Sequence, residues 1–121
     1  MSHVLVPEGR LSESDEAMES RMSSHPGVNW HTMDAASRLA YGRHVLFSDD
    51  TARQGAGFSN LSPAQLFYNS YYWLLVLSKR YQEKFGYNAG IEQQAFQALE
   101  AAPPGVDWKI VEEISRSAER A

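Results

Sequence analysis

Four histidines, two adjacent aspartates, one arginine ahead of a glycine-containing stretch and a dense aromatic run are the residues of this chain whose chemistry could go beyond folding. The histidines are His3, His25, His31 and His44, and none of them pairs in the way a helical metal site requires, with two imidazoles four residues apart beside a carboxylate. A metal site within the chain is therefore not expected. Cysteine is absent, which removes disulfides, thiolate ligands and thiol nucleophiles, so any such chemistry must come from a partner. Asp49 and Asp50 stand where a helix start is expected. Neighbouring side chains there point apart and the helix dipole favours carboxylates, so capping explains them better than acid/base work. Gly55-Ala56-Gly57 lacks the preceding strand and the Lys-Ser/Thr of a phosphate loop and reads as a hinge. Arg53 could offer several fixed donors to an anionic or oxygen-rich group, although by itself it reads as a surface arginine. The run Phe67-Tyr68-Asn69-Ser70-Tyr71-Tyr72-Trp73 joins aromatic bodies to polar tips. Core plus protein interface is its first reading and the wall of a small-molecule pocket its second.

The elements that must position these residues are helical. Residues 1–28 carry Glu8, Glu13, Asp15, Glu16 and Glu19 with few large apolar groups and end at Pro26-Gly27, which predicts an acidic arm with at most a short helix near 12–22. Asn29 is the expected N-cap of a helix to about His44, with Trp30, Met33, Ala36, Leu39 and Ala40 as its apolar stripe. A short helix from Ser48-Asp49-Asp50 to about Gln54 follows. Ser62-Pro63-Ala64-Gln65 combines a capping Ser, Pro in the first turn and a Gln that can reach back, and it opens a long helix ending at Phe85-Gly86. Leu66, Tyr71, Leu74, Leu75, Val76, Leu77 and Tyr81 make that helix apolar on more than one face, so it needs several neighbours. A helix over about 90–101, a break at Pro103-Pro104-Gly105 and a last helix over 107–119 with Trp108, Val111 and Ile114 on one side complete the chain. The reading is all-α: a helical domain over 29–121 behind an extended N-terminal arm, built around one long aromatic-rich helix.

At 121 residues one compact domain is the expected size. A formal net charge of -4 with only three lysines gives no footprint for nucleic acid. The opening residues show no signal peptide, and no stretch reaches the roughly 20 apolar residues of a membrane span, so a soluble cytoplasmic protein is expected.

One set of spacings goes further. Trp30 opens a helix, Leu39 sits in its middle, Leu46-Phe47 comes sixteen residues after the Trp, and the polar-acidic turn Ser48-Asp49-Asp50 follows. Next come Asp50-Thr51-Ala52-Arg53, Pro63 with Leu66, Tyr71-Tyr72, Trp73-Leu74-Leu75 and Gly86. In order and spacing, over about residues 28 to 100, this resembles the helical N-terminal half of the nitrile hydratase β subunit, the small helical subunit of thiocyanate hydrolase, and the nitrile hydratase accessory proteins. Two departures stand out: Gln54 replaces the His that often follows the Arg, and the usual Tyr-Tyr-x-x-Trp-Leu is compressed to Tyr-Tyr-Trp-Leu. The small β-barrel of a full β subunit is not in this chain, which fits an enzyme whose parts are split between subunits.

The resemblance implies a non-metal small subunit, not catalytic alone, that packs on a metal-bearing α-type subunit, with the barrel-type β part on a separate subunit. In that family Co(III) or Fe(III) is held by the partner's claw of oxidised cysteines and backbone amides, and it acts as a Lewis acid on a nitrile or thiocyanate. Arg53 would take the place of the arginine that hydrogen-bonds the sulfinate and sulfenate oxygens, which a rigid multi-donor guanidinium satisfies better than lysine. Tyr71, Tyr72 and Trp73, with Phe47 behind the tyrosines, would line the substrate approach and the subunit interface. Two other readings stay open: an accessory metallochaperone or activator of such an enzyme, against which Arg53 weighs, and a generic helical interaction module.

Overall fold

The computed structural model describes residues 33–48 and 61–121. These form four helices in the order α1 (Ala35–Ser48), α2 (Pro63–Phe85), α3 (Ala89–Glu100) and α4 (Trp108–Arg120), with no strand among the described residues. The all-α class expected from the sequence is the class observed. The arm, the Asn29 cap, Trp30, the short helix near 49–54 and the hinge glycines lie outside the described residues. None of the described helices is long and apolar enough to cross a membrane.

The long helix is built as its local chemistry demands. The Ser62 side chain accepts from the Gln65 amide at 3.2 Å, and the Gln65 side chain accepts from the Ser62 amide at 3.1 Å. With Pro63 in the first turn, the reciprocal cap satisfies two amides that the helix itself leaves open. At the other end Gly86 has φ 87°, a conformation that L side chains rarely adopt, and its N–H reaches the Gln82 carbonyl at 3.0 Å.

Helix α2 touches all three of the others, while those three barely meet one another. Helix α1 runs antiparallel to it: Phe47 packs near Leu66 and Trp73, His44 faces Ser70, and Asp34 feels the charge of Lys84. Helix α4 runs parallel to it. The Asp107 N–H donates to the Tyr68 hydroxyl at 2.7 Å at one end, and Lys79 reaches the main-chain oxygen of Ala121 at 2.8 Å at the other. Leu74 and Leu77 are fully buried between these neighbours, each contributing about 1.5–3 kcal/mol by removal from water. Helix α3 is the lightest partner. Asn88 caps it by accepting from the Ile91 amide at 3.0 Å, and Ile91 is its one fully buried side chain.

Two expectations are corrected. Helix α1 starts at Ala35 and continues to Ser48, because Asp34 supplies the cap, accepting from the Ser37 amide at 3.3 Å. Its buried positions include Ser37, Ala40, Tyr41, His44 and Val45, a stripe at spacings of three and four. Ala36 and Leu39 face outward, Leu39 at 41% exposure. The large Tyr41 and Val45 bury more apolar area against α2 than the predicted stripe could. In α4 the buried stripe is Val111, Ile114 and Ala118, and Trp108 is 55% exposed. Val106 and Ile110 pack at that level instead.

Two substitutions in α2 separate its interior from its cap. Leu74→Ala should cost about 2–5 kcal/mol, since a fully buried side chain leaves a cavity, whereas Ser62→Ala should cost about 1 kcal/mol. Urea unfolding followed by circular dichroism measures both; equal losses would contradict the central place of Leu74.

Candidate functional site

Consecutive residues on a helix point about 100° apart, so Tyr71, Tyr72 and Trp73 cannot face one surface together. Trp73 turns toward α1, where it packs in a cluster with Leu46, Phe47, Leu61 and Leu66. Phe47 is buried there. The Tyr72 ring meets the Trp73 ring edge-on at 5.1 Å with an interplanar angle of 80°, and both rings are half-buried. Tyr71 turns the other way, toward α4. Its ring stacks on Phe67 at 5.6 Å and 7°, within a cluster that includes Tyr68, Val111 and Ile114. Of the four aromatic candidates the structure thus brings Phe47 and Trp73 together and sets Tyr71 in a separate seam, with Tyr72 between them, edge-on to Trp73 and packed against the Tyr71 cluster. Arg53 lies outside the described residues.

The cluster around Phe47 and Trp73 has a position of its own. It is formed by the last turn of α1, the first turns of α2 and Leu61, so it sits at the two chain ends that flank residues 49–60. Leu46-Phe47, Leu66 and Trp73, read separately along the sequence, are neighbours in space.

Sequence reading missed a buried polar seam between α1 and α2. His44 Nδ1 lies 2.9 Å from the Ser70 hydroxyl and 3.0 Å from the Ser70 carbonyl, and the Tyr41 ring stacks on the imidazole at 6.2 Å and 26°. Asn69, fully buried, donates to the Gln65 carbonyl at 2.8 Å. The signal was present in the spacing: Ser37, Tyr41 and His44 share a face once the helix runs past His44, and an expected helix end there hid it. Among the described residues no group of three His, Asp or Glu could hold a metal ion. Nor does the His44–Ser70 contact make a nucleophilic pair, because the same ring nitrogen also meets a carbonyl that can only accept.

Burial acts on the titratable members of both seams. It pushes the Tyr41 phenol far above its ordinary value. Burial likewise raises Tyr71, opposed by a hydrogen bond with Ser115 and assisted by the charge of Glu92. At the start of α1 hydrogen bonding to Ser37 holds Asp34 below the usual carboxylate value.

The phenols fix a pH dependence. Their folded-state values lie above the ordinary value of 10.0, so above about pH 10 the unfolded chain releases protons that the folded chain keeps. Stability is present in full below that pH and falls as it rises. In Tyr41→Phe the fall should be shallower by up to about 1.4 kcal/mol per pH unit, measured by urea unfolding between pH 8 and 11. Parallel curves for the two proteins would mean that Tyr41 ionises as easily folded as unfolded.

No protein-family model, no curated protein and no solved structure matches the chain.

Proposed function

We propose that this chain is the non-metal small subunit of a cytoplasmic, hetero-oligomeric enzyme of the nitrile hydratase and thiocyanate hydrolase type, packing on the metal-bearing subunit and supporting its oxidised-cysteine site. The observation that carries the reading is the convergence of the resembling elements. Leu46-Phe47 from one stretch and Leu66 and Trp73 from another pack in one cluster, at the chain ends flanking the segment that holds Arg53. Cysteine is absent from the sequence, so a thiolate-derived claw belongs to a partner, where the Co(III) or Fe(III) would supply Lewis-acid activation of the nitrile or thiocyanate.

The work of this chain is then positional. The Arg53 guanidinium donates to the anionic sulfur oxygens of the partner's claw, and its planar fork fixes their orientation in a dry interface. Tyr72 and Trp73 offer half-buried rings whose remaining surface can be covered by a partner.

The direct test is coexpression with the genomic neighbours, isolation through a tag on this chain, and assay for cobalt or iron and for turnover of simple nitriles and thiocyanate. A stable, metal-bearing, active complex is expected. Transient association with an enzyme that is active without this chain would replace the subunit role by the accessory one, and the lack of any cysteine-rich partner would refute the family. Within the complex, Arg53→Lys should leave assembly intact and lower turnover by about 10- to 100-fold, because a point charge cannot reproduce the fork of donors. Wild-type turnover would remove Arg53 from the site.

A further inference from the structure

The histidine in the seam between α1 and α2 is a buried titratable group that the subunit role leaves unused. His44 is 8% exposed, and its Nδ1 meets both oxygens of Ser70, the hydroxyl at 2.9 Å and the carbonyl at 3.0 Å. A carbonyl only accepts, so a bare Nδ1 would set its lone pair against those of the oxygen. With a hydrogen on Nδ1, both contacts become donations to Ser70. The arrangement therefore selects the Nδ1–H form of the neutral ring and leaves Nε2 as the nitrogen that takes up a proton in acid.

The surroundings oppose a positive charge at that point. Burial by itself disfavours the imidazolium. On α1 the adjacent Arg43 is a buried cation and Arg38 a second cation, while the acid Asp34 lies ten residues back, about 15 Å along the helix. Helix α2, the element packed broadly on α1, carries no acid before Glu83, thirteen residues or about 20 Å beyond Ser70, and its nearer charges are Lys79 and Arg80. Helices α3 and α4 barely meet α1. The Tyr41 ring, with its centroid 6.2 Å from that of the imidazole, stands at the outer limit of a cation–π contact. Asp49 and Asp50 follow α1 in sequence and lie outside the described residues; a carboxylate of theirs against the ring would reverse the sign of the effect.

We propose that His44 is a proton-sensitive latch: the neutral imidazole holds α1 on α2, and a proton taken up at Nε2 in mild acid loosens that contact. Phe47 follows three residues later, in the cluster with Leu46, Leu66 and Trp73. A loosened α1 thus opens the end of the fold on which the assembly role depends. The proposal rests on that role for its consequence in the complex, whereas the latch is a property of this chain.

Two measurements on the full chain test it. Nitrogen-15 spectra of the wild-type imidazoles, recorded from pH 5 to 8, should show His44 as the Nδ1–H tautomer and protonating below the ordinary histidine value of about 6.5. The unfolded chain then takes up a proton that the folded chain refuses, so stability is full above about pH 6.5 and falls as pH drops below it. In urea unfolding over the same range, the unfolding equilibrium constant of the wild type should rise by up to about tenfold more per pH unit than that of H44N. The asparagine amide can still donate to Ser70 but does not titrate, and only the slopes are compared, so a less stable variant serves equally well. An Nε2–H tautomer, protonation at or above the ordinary value, or parallel unfolding curves would overturn the latch. In the metal-bearing complex, this chain should dissociate as pH falls below about 6.5, and H44N should stay bound. A chain that shows the latch but finds no cysteine-rich partner keeps the latch and loses the subunit role.

Discussion

A helix of 23 residues that has to be covered on several flanks at once is the condition on which this architecture depends. Helix α2 carries Tyr68, Tyr71, Leu74, Val76 and Leu77 at buried positions spread around much of its circumference. No single neighbour can shield such a surface. The chain answers with α1 on one flank, α4 on another and α3 between α2 and the solvent, and those three scarcely touch each other. The core is therefore radial. Leu74 and Leu77 join it to α1, while Tyr71 and Leu75 join it to α4.

Polar groups set the register of this radial core. Apolar burial alone would tolerate a slide of α1 along α2, since leucine and valine surfaces are exchangeable at small cost. His44 against Ser70 is not exchangeable. A shift of one residue would leave a buried imidazole without its hydroxyl and carbonyl, at about 1–3 kcal/mol for a stranded polar group. Asp107 on the Tyr68 hydroxyl does the same for α4, because that amide stands at the helix start, where the helix offers it no partner. Each of the two large flanks of α2 thus carries a specific long-range hydrogen-bonded pair amid apolar contacts.

What could be read from the sequence divides along the same physical line. The cap at Ser62-Gln65, the stop at Gly86 and the four-residue logic of α2 depend on residues close in sequence, and those features stand in the structure as expected. The phase of α1 did not follow, because Ala36 and Leu39 offer a plausible apolar stripe until Tyr41 and Val45 are known to have α2 beside them. Trp108 misled for a similar reason: its size suggests burial, but Val106 and Ile110 already fill that level. Of the candidate site, the resemblance implied a place for Phe47 behind the tyrosines, and its packing beside Trp73 is set by the α1–α2 contact. The His44–Ser70 contact, 26 residues apart, had a signature only on the α1 side, where Ser37, Tyr41 and His44 share a face, and none that pointed to Ser70.

The modest anchoring of α3 has a consequence for motion. Only Ile91 is fully buried on that helix, and Phe96 stands 64% exposed on its outer side. A helix fastened by so little apolar area opens at a lower free energy than the body it leans on, as a small cooperative unit within an otherwise intact fold. Its amides should exchange with solvent deuterium well before those of α2, through excursions that leave the α1–α2–α4 core closed.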